Sequence, residues 1–582
     1  MLTKLHLKFK CLLTLIVCSG NLFSQVAYQE LPDPKGVDMI SWKNITEQTA
    51  FKFASADVRY QKHVAPSNGT LKIKWEGTGW RGEKIHTKIL VCTKRNLNKV
   101  SFALSKLTNK NGNTIDASNI KANFVRYVMT DGLNAKGGGC EITPKLDSSL
   151  VEDVIDNANE LTVPKNTVQP IWLTVTIPTD TKPGLYSGSI YLKENNKNSK
   201  YKLNYTVKVI NRVLPSPNQW KFHLDLWQNP YAISRVSNTK QWSAEHFRAM
   251  TPYMNMLANA GQKTITTTLI HDPWNSQTYD KYGSMIKWTK KNNGSWQYDF
   301  SIFDQWVSFA MSLGIKKQIN CYSMIPWDLK FAYYDEATGK DTALVAKPGS
   351  PEYTSHWTPM LKAFATHLKS KGWFNITCIA MDERPVEDME KAIAVIKSVD
   401  KDFKIALAGR YHPEIEKDIF DYCVASNQVI EPEVFKRRKA EGFNTTVYTS
   451  CTEGSPNIFT FSPPAESAWL PWFALNNNYD GYLRWAYNCW NANPLQDSRF
   501  GNWSAGDAFF IYPGARTSIR FEKLISGIQD YEKIKILSNE LSKKGLSTER
   551  LKTITQPFLI QNLKTIEASK MLSDAKKQLN SF

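Results

Sequence analysis

Metal-site spacing is missing from this sequence. Its nine cysteines include no Cys-x-x-Cys pair and no Cys/His cluster, so no zinc site is expected, and no motif for a nucleotide cofactor stands out. Also missing are a basic block, a zinc finger, a helix-turn-helix and an RNA-binding motif. The 73 Lys+Arg against 54 Asp+Glu leave a net charge of +19, a balance that draws polyanions. The lysines are dispersed, however, and read as a soluble surface; nucleic acid is not an expected partner. There is no long low-complexity tract. No apolar run is long enough to cross a membrane as a helix, which argues against stable membrane insertion. Seven cysteines remain once the two in the N-terminal segment are set aside. Cys321, Cys378, Cys423, Cys451 and Cys489 stand in or beside apolar runs and read as buried free thiols, and Cys92 with Cys140 is a candidate disulfide. The sequence names no oligomeric state.

What is present begins with an export signal. Lys4, Lys8 and Lys10 precede the apolar run from Cys11 to Cys18, and small and polar residues follow through Ser24-Gln25. Basic end, short apolar core and small-residue exit are the layout of a secretory signal peptide, with cleavage near Ser24 or Ala27. A periplasmic or secreted protein is expected. Lipoprotein anchoring at Cys18 is disfavoured, because Val17 is a poor residue before the cysteine.

At 582 residues the chain exceeds one ordinary core. Residues 25–213 read as β. Tyr201, Leu203, Tyr205, Val207 and Val209 alternate with Lys202, Asn204 and Lys208, the mark of a half-buried strand. Leu173, Val175 and Ile177 alternate likewise. Thr181-Lys182-Pro183-Gly184 makes a turn, and short strands between such turns predict an antiparallel β-sandwich. Leu214-Pro215-Ser216-Pro217 then marks a boundary.

Beyond it the rhythm changes. Apolar strand-like runs recur at 220–227, 263–271, 316–325, 374–381, 404–408, 421–425, 445–451 and 481–487. Amphipathic stretches at 243–260, 303–313, 358–369 and 386–398 lie between several of them. This alternation predicts a (β/α)8 TIM-like barrel over 214–533, with a C-terminal helical segment over 534–582 packed on it. The expected chain is therefore multidomain β and α/β: signal peptide 1–24, sandwich 25–213, barrel, helical tail.

Chemistry in such barrels sits where strands end. The expected strand ends carry Trp227-Gln228-Asn229, His271-Asp272-Pro273-Trp274, Tyr322 through Trp327, Arg410-Tyr411-His412, Tyr448-Thr449-Ser450 and Trp485 through Trp490. Aromatic walls with a few polar groups suit a sugar. The run at 374–381 is the one that delivers two carboxylates, Asp382 and Glu383, followed by Arg384 and Pro385. Two adjacent acids after an apolar run are costly to desolvate, and glycoside hydrolysis is a chemistry that uses a protonated and an ionised carboxyl together. The plainer reading is a strand followed by a solvated acidic turn.

Trp80-Arg81-Gly82-Glu83, Met381-Asp382-Glu383-Arg384-Pro385, the stretch from Gly481 to Asn488, and the stretch from Gly506 to Gly514 with Ser518-Ile519-Arg520-Phe521-Glu522 resemble glycoside hydrolase family 123. The likeness spans nearly the whole mature chain in the same order. It implies a β-sandwich plus barrel and an exo-acting, retaining β-N-acetylgalactosaminidase whose substrate brings its own nucleophile. It implies Glu383 as general acid/base and Asp382 as the partner of the 2-acetamido group, with no cofactor. The strand must end or bend at Asp382 if both are to reach one pocket, since successive strand side chains face opposite ways. Tyr448 is a candidate for holding the acetamido group and His271 for a sugar hydroxyl. For both the plain alternative is packing at the barrel rim; Trp485 and Trp490 are candidates for a hydrophobic floor, against ordinary core packing, and Tyr322 and Asn488 complete the substrate-binding set. Arg384 is expected to fix its loop by an ion pair. The expected partner is a glycan or glycolipid. The alternatives are another β-linked 2-acetamido sugar, such as GlcNAc or a sulfated hexosamine, and a glycan-binding protein without turnover.

Overall fold

The computed structural model describes residues 28–133, 147–501 and 503–582. The signal segment 1–24, Cys18 and Cys140 lie outside them. The alternation of residues 201–209 becomes the strand Lys197–Val213, in which Leu203, Tyr205, Val207 and Val209 are buried and Lys202, Asn204 and Lys208 exposed. It pairs antiparallel with Gly184–Glu194, and Lys74–Arg81 joins its other edge in parallel. This sheet faces a second one, in which Lys84–Thr93 lies between Thr49–Ala54 and Thr167–Thr176. Phe53, Ile89, Val91, Ile171 and Leu173 from one sheet and Tyr186, Ile190, Leu203, Tyr205 and Val207 from the other fill the space between. The first domain is thus the expected sandwich, antiparallel except for that one parallel pair.

All eight expected barrel strands form, each nearly or wholly buried. They are β1 (His223–Leu226), β2 (Thr264–Thr268), β3 (Gln318–Tyr322), β4 (Thr377–Met381), β5 (Lys404–Gly409), β6 (Asp421–Ala425), β7 (Asn444–Tyr448) and β8 (Gly481–Arg484). All the pairs are parallel, and the order runs β1-β8-β7-β6-β5-β4-β3-β2. Closure between β1 and β2 rests on one bridge, Leu224 to Gln262, with Lys263 N–H donating to the Leu224 carbonyl at 2.9 Å. The barrel departs from a full (β/α)8 plan in one connection. Between β5 and β6 the chain makes only the short 3-10 turn Glu416–Asp418. Eleven residues separate Gly409 from Asp421, too few for a crossover helix.

The barrel interior is packed with polar side chains at its lower end. Asn320 Nδ2 donates to Asp225 Oδ2 at 3.3 Å, and His223 Nε2 lies 3.4 Å from Asp421 Oδ2. Burial and the Asp421 charge push the Asp225 carboxyl well up. His223 and Gln318 hold Asp421 down against its own burial. The interior is a filled core, so a site in this barrel is built from the residues beyond the C-terminal ends of the strands.

Two features were not anticipated. The connections after β2 and β3 build a four-stranded sheet of Trp296–Asp299, Lys287–Lys290, Lys330–Asp335 and Lys340–Val345. These strands are short and rich in charge, and carry no long apolar run. Also, Thr517–Ser518, just after the barrel, adds an edge strand to the sandwich by pairing with Ile155 and Val154. The helix Ile519–Lys543 follows, with Phe521, Leu524, Ile525, Ile528 and Tyr531 buried, and runs unbroken across residue 533. The tail ends in the helix Ala568–Leu579, which buries Met571 and Leu572. No helix among the described residues is long and apolar enough to cross a membrane.

Cys92, Cys321, Cys378, Cys423 and Cys489 are buried free thiols. A Cys92–Cys140 disulfide is therefore excluded: Cys92 is a free thiol inside a strand, buried among Trp42, Ile45, Ala50 and Val168. Cys451 departs from the free-thiol reading, because it is disulfide-bonded.

Candidate active site

β4 stops at Met381, where the strand has to stop if adjacent carboxylates are to serve one site. The chain bends at Glu383, and Pro385 caps the helix Val386–Val399. The bend separates the two acids. Asp382 turns inward and is 7% exposed, whereas Glu383 is exposed at the rim.

Asp382 is held from two sides. Arg384 Nη2 lies 2.9 Å from its Oδ1, and Trp327 Nε1–H donates to its Oδ2 at 3.2 Å. Burial pushes the Asp382 carboxyl up; Arg384 and the Trp327 N–H oppose that shift, while Glu383 adds to it. Arg384 makes the ion pair expected of it, and its partner is Asp382 itself. The guanidinium also donates to the Ile325 carbonyl at 2.8 Å and to the Glu383 carbonyl at 2.7 Å, and lies 3.9 Å over the Trp327 ring.

Glu383 meets β7 and β5. Tyr448, buried at the end of β7, donates its hydroxyl to Glu383 Oε1. Burial first, then the Glu383 charge, push that phenol far above its ordinary range, so it stays a donor. On the other side a Cβ at Gly409 would stand 3.6 Å from the Glu383 Cα. Tyr448→Phe removes one hydrogen bond to a carboxylate, and activity is expected to fall about tenfold. The melting temperature should hold, since the acceptor left behind is in water. An equal loss of stability would show Tyr448 to be a packing residue.

An apolar floor lies beside Asp382. Trp227, Trp274 and Tyr322, from the ends of β1, β2 and β3, cluster with ring centroids 4.5 Å (Trp227–Tyr322), 5.2 Å (Trp227–Trp274) and 5.4 Å (Trp274–Tyr322) apart. Tyr322 is 1% exposed, and the Asp382 charge is among those that raise its phenol, after burial and Asp225. Trp485 is half-buried, with its Nε1–H on Asp507 Oδ2 at 3.2 Å and Trp503 at 5.4 Å.

The other candidates fall elsewhere. Trp490 is fully buried, donates to the Ile511 carbonyl at 2.7 Å and packs edge-on to Tyr253, so it is not a pocket floor. Asn488 uses both ends of its amide on the backbone of Asn229, at 2.7 and 2.9 Å, and so ties β8 to β1. His271 is exposed at the end of β2, and no hydrogen bond joins it to the carboxylates. Trp327, Trp227 and Trp274 are residues that sequence reading placed at strand ends but left out of the substrate-binding set. All three stand at strand ends, which is the signal that marks them. Among the described residues no group of three or more His, Cys, Asp or Glu side chains is placed to hold a metal ion.

Comparison with known proteins accords with this geometry. The profile described as glycoside hydrolase 123, catalytic domain, matches residues 227–537, and that of the glycoside hydrolase 123 N-terminal domain matches residues 53–194. A search of curated sequences returns no match. Among solved structures, a family 123 glycoside hydrolase from Clostridium perfringens, studied for glycolipid glycan hydrolysis, is similar at 28% identity and a TM-score of 0.82. The likeness covers 92% of this chain and 97% of that one. An endo-β1,6-glucanase (10% identity, 59% and 82% covered, TM-score 0.36) and a Parabacteroides merdae β-glucuronidase (8%, 83% and 52%, TM-score 0.29) also match, at scores that carry no argument.

Proposed function

The chain belongs to glycoside hydrolase family 123 and is a glycoside hydrolase, and from that premise we propose that it removes terminal β-linked N-acetylgalactosamine from glycan or glycolipid ends, with retention, using the sugar's own 2-acetamido group as nucleophile. One observation carries the reading: Asp382 and Glu383 are neighbours that a bend sends to different environments, one buried and charge-paired, one open to solvent. A retaining enzyme with its own nucleophile sets two carboxyls about 5–5.5 Å apart across the scissile bond. Adjacent residues suit a different division of labour. The acetamido carbonyl oxygen attacks the anomeric carbon while Glu383 gives its proton to the departing glycosidic oxygen. Asp382 accepts the amide N–H and so stabilises the positive charge that grows on the cyclising group. Water then opens the oxazolinium ring, losing its proton to Glu383. Tyr448, whose hydroxyl meets Glu383 Oε1, orients that carboxyl. The Clostridium perfringens relative's glycolipid glycan hydrolysis supports the substrate class.

The same reading takes the chain as exported, to the periplasm or beyond. Lys4, Lys8, Lys10 and the short apolar run after them support this, as does the disulfide at Cys451, a bond that persists in oxidising compartments.

Release of nitrophenol from aryl β-GalNAc, β-GlcNAc and β-Gal glycosides tests the function. Cleavage of β-GalNAc and not β-Gal is expected. Cleavage of β-Gal at a similar rate would remove the need for the acetamido group and overturn the mechanism, and cleavage of β-GlcNAc alone would replace the sugar.

A further inference from the structure

Trp327 is 45% exposed, the only tryptophan among the described residues to stand open to solvent. It is nevertheless fixed at three points. Its backbone N–H donates to the Pro273 carbonyl at 3.1 Å. Its indole N–H donates to Asp382 Oδ2 at 3.2 Å, and one ring face carries the Arg384 guanidinium at 3.9 Å. Arg384 completes the circuit on Asp382 Oδ1 at 2.9 Å. Trp327, Arg384 and Asp382 thus form a closed triangle in which each touches the other two. The circuit joins loops from β2, β3 and β4.

We propose that Trp327 is a positioning residue for Asp382, its indole N–H and its stack on Arg384 holding the carboxylate turned so that Oδ2 meets the 2-acetamido N–H. The inference rests on the reading of Asp382 given above. The torsion that turns an aspartate's carboxylate is broad and two-fold, so one donor does not fix its plane. Arg384 alone grips only Oδ1; Trp327 grips the second oxygen from a different loop. A carboxylate oxygen accepts two hydrogen bonds, so Oδ2 keeps one lone pair for substrate. An acceptor oriented in advance needs no reorganisation as charge develops.

The groups facing Asp382 set the direction of its titration. Burial comes first and pushes its carboxyl up; on its own segment Arg384 opposes that shift and Glu383 adds to it, the Trp327 N–H from the loop after β3 opposes it, and the Tyr322 phenol at the end of β3 feels the Asp382 charge. Trp327 favours the ionised form. Ionised Asp382 is the active form, so activity is lost as pH falls through its titration. Losing the indole N–H moves that loss to higher pH.

The test compares Trp327→Phe, which keeps the stack and removes the N–H, with Trp327→Leu, which removes both, and with Asp382→Asn. Each is assayed for kcat and KM on aryl β-GalNAc across pH. Trp327→Phe is expected to lose about tenfold in kcat, with little change in KM, an acid limb displaced to higher pH and an unchanged melting temperature. Trp327→Leu should lose more. A Trp327→Phe enzyme with wild-type kcat and acid limb, a loss confined to KM, or a loss traced to unfolding would overturn the proposal. If Asp382→Asn is inactive in that case, the reading of Asp382 stands without it. An active Asp382→Asn enzyme would sink that reading, and this proposal with it.

Discussion

Glu383→Gln is expected to lower turnover by about 10²–10⁴-fold, the range that a positioned acid/base supplies. The substitution is isosteric and Glu383 is exposed, so neither fold nor sugar binding should change. The amide still meets Tyr448, and only the transferable proton is gone. The size of the loss should depend on the leaving group. Nitrophenolate departs with little help, whereas a sugar alkoxide must be protonated as it leaves. The deficit is therefore expected to be small for nitrophenyl glycosides in the first step and greatest for an oligosaccharide. Single-turnover rates on both substrates check this. A variant that cleaves oligosaccharide at the wild-type rate would remove Glu383 from the mechanism.

Arg520→Ala is expected to be among the most destabilising single changes available, at about 3–5 kcal/mol. Arg520 is 1% exposed. Its Nε lies 2.9 Å from Asp153 Oδ2 on a sandwich strand, and its remaining nitrogens donate to the carbonyls of Ile458 (2.8 Å), Gly506 (2.9 Å) and Phe509 (2.9 Å). Tyr512 donates to the same Asp153 oxygen at 2.6 Å. Removing the guanidinium leaves the buried Asp153 carboxylate with Tyr512 as donor and Arg59 Nη2 at 3.8 Å as its remaining cation, and takes this donor from three buried carbonyls. The denaturation midpoint should fall sharply. Activity per folded molecule should not, since Arg520 makes none of the contacts to Asp382 or Glu383. A variant as stable as wild type would show that the joint is carried by its other contacts, among them the pairing of Thr517–Ser518 with Ile155 and Val154 and the ion pairs Arg516–Asp156 and Lys533–Glu83.

The Arg520 stretch carries part of the sequence likeness to the family, yet it builds the joint between sandwich and barrel. The likeness of Gly481 to Asn488 divides similarly. Arg484, at the end of β8, is buried against Thr449, Asn457 and Asp507, and Asn488 holds β1 to β8. A motif marks positions that tolerate little change, and tight packing produces that as readily as chemistry does.

Tyr448 and Trp490 were both site candidates on the sequence: both follow an apolar run and both have a polar handle. The first faces Glu383; the second is sealed against Ile511 and Tyr253. Nothing local separates them. Beyond the last strand residue, alternation no longer dictates where a side chain points, and the direction is set by loops from other parts of the chain.

The sequence alone determined the sandwich, the eight barrel strands and the carboxylate pair at the end of β4. Each is a local signal: alternation at period two, an apolar run of strand length, two acids and a proline at its end. Only the tertiary structure decided which groups act on those acids. Trp327 lies 55 residues from Asp382 and Tyr448 lies 65 residues from Glu383. Those partners meet because barrel closure gathers strand ends from distant segments, and a hydrogen bond between distant segments leaves no periodicity in the chain.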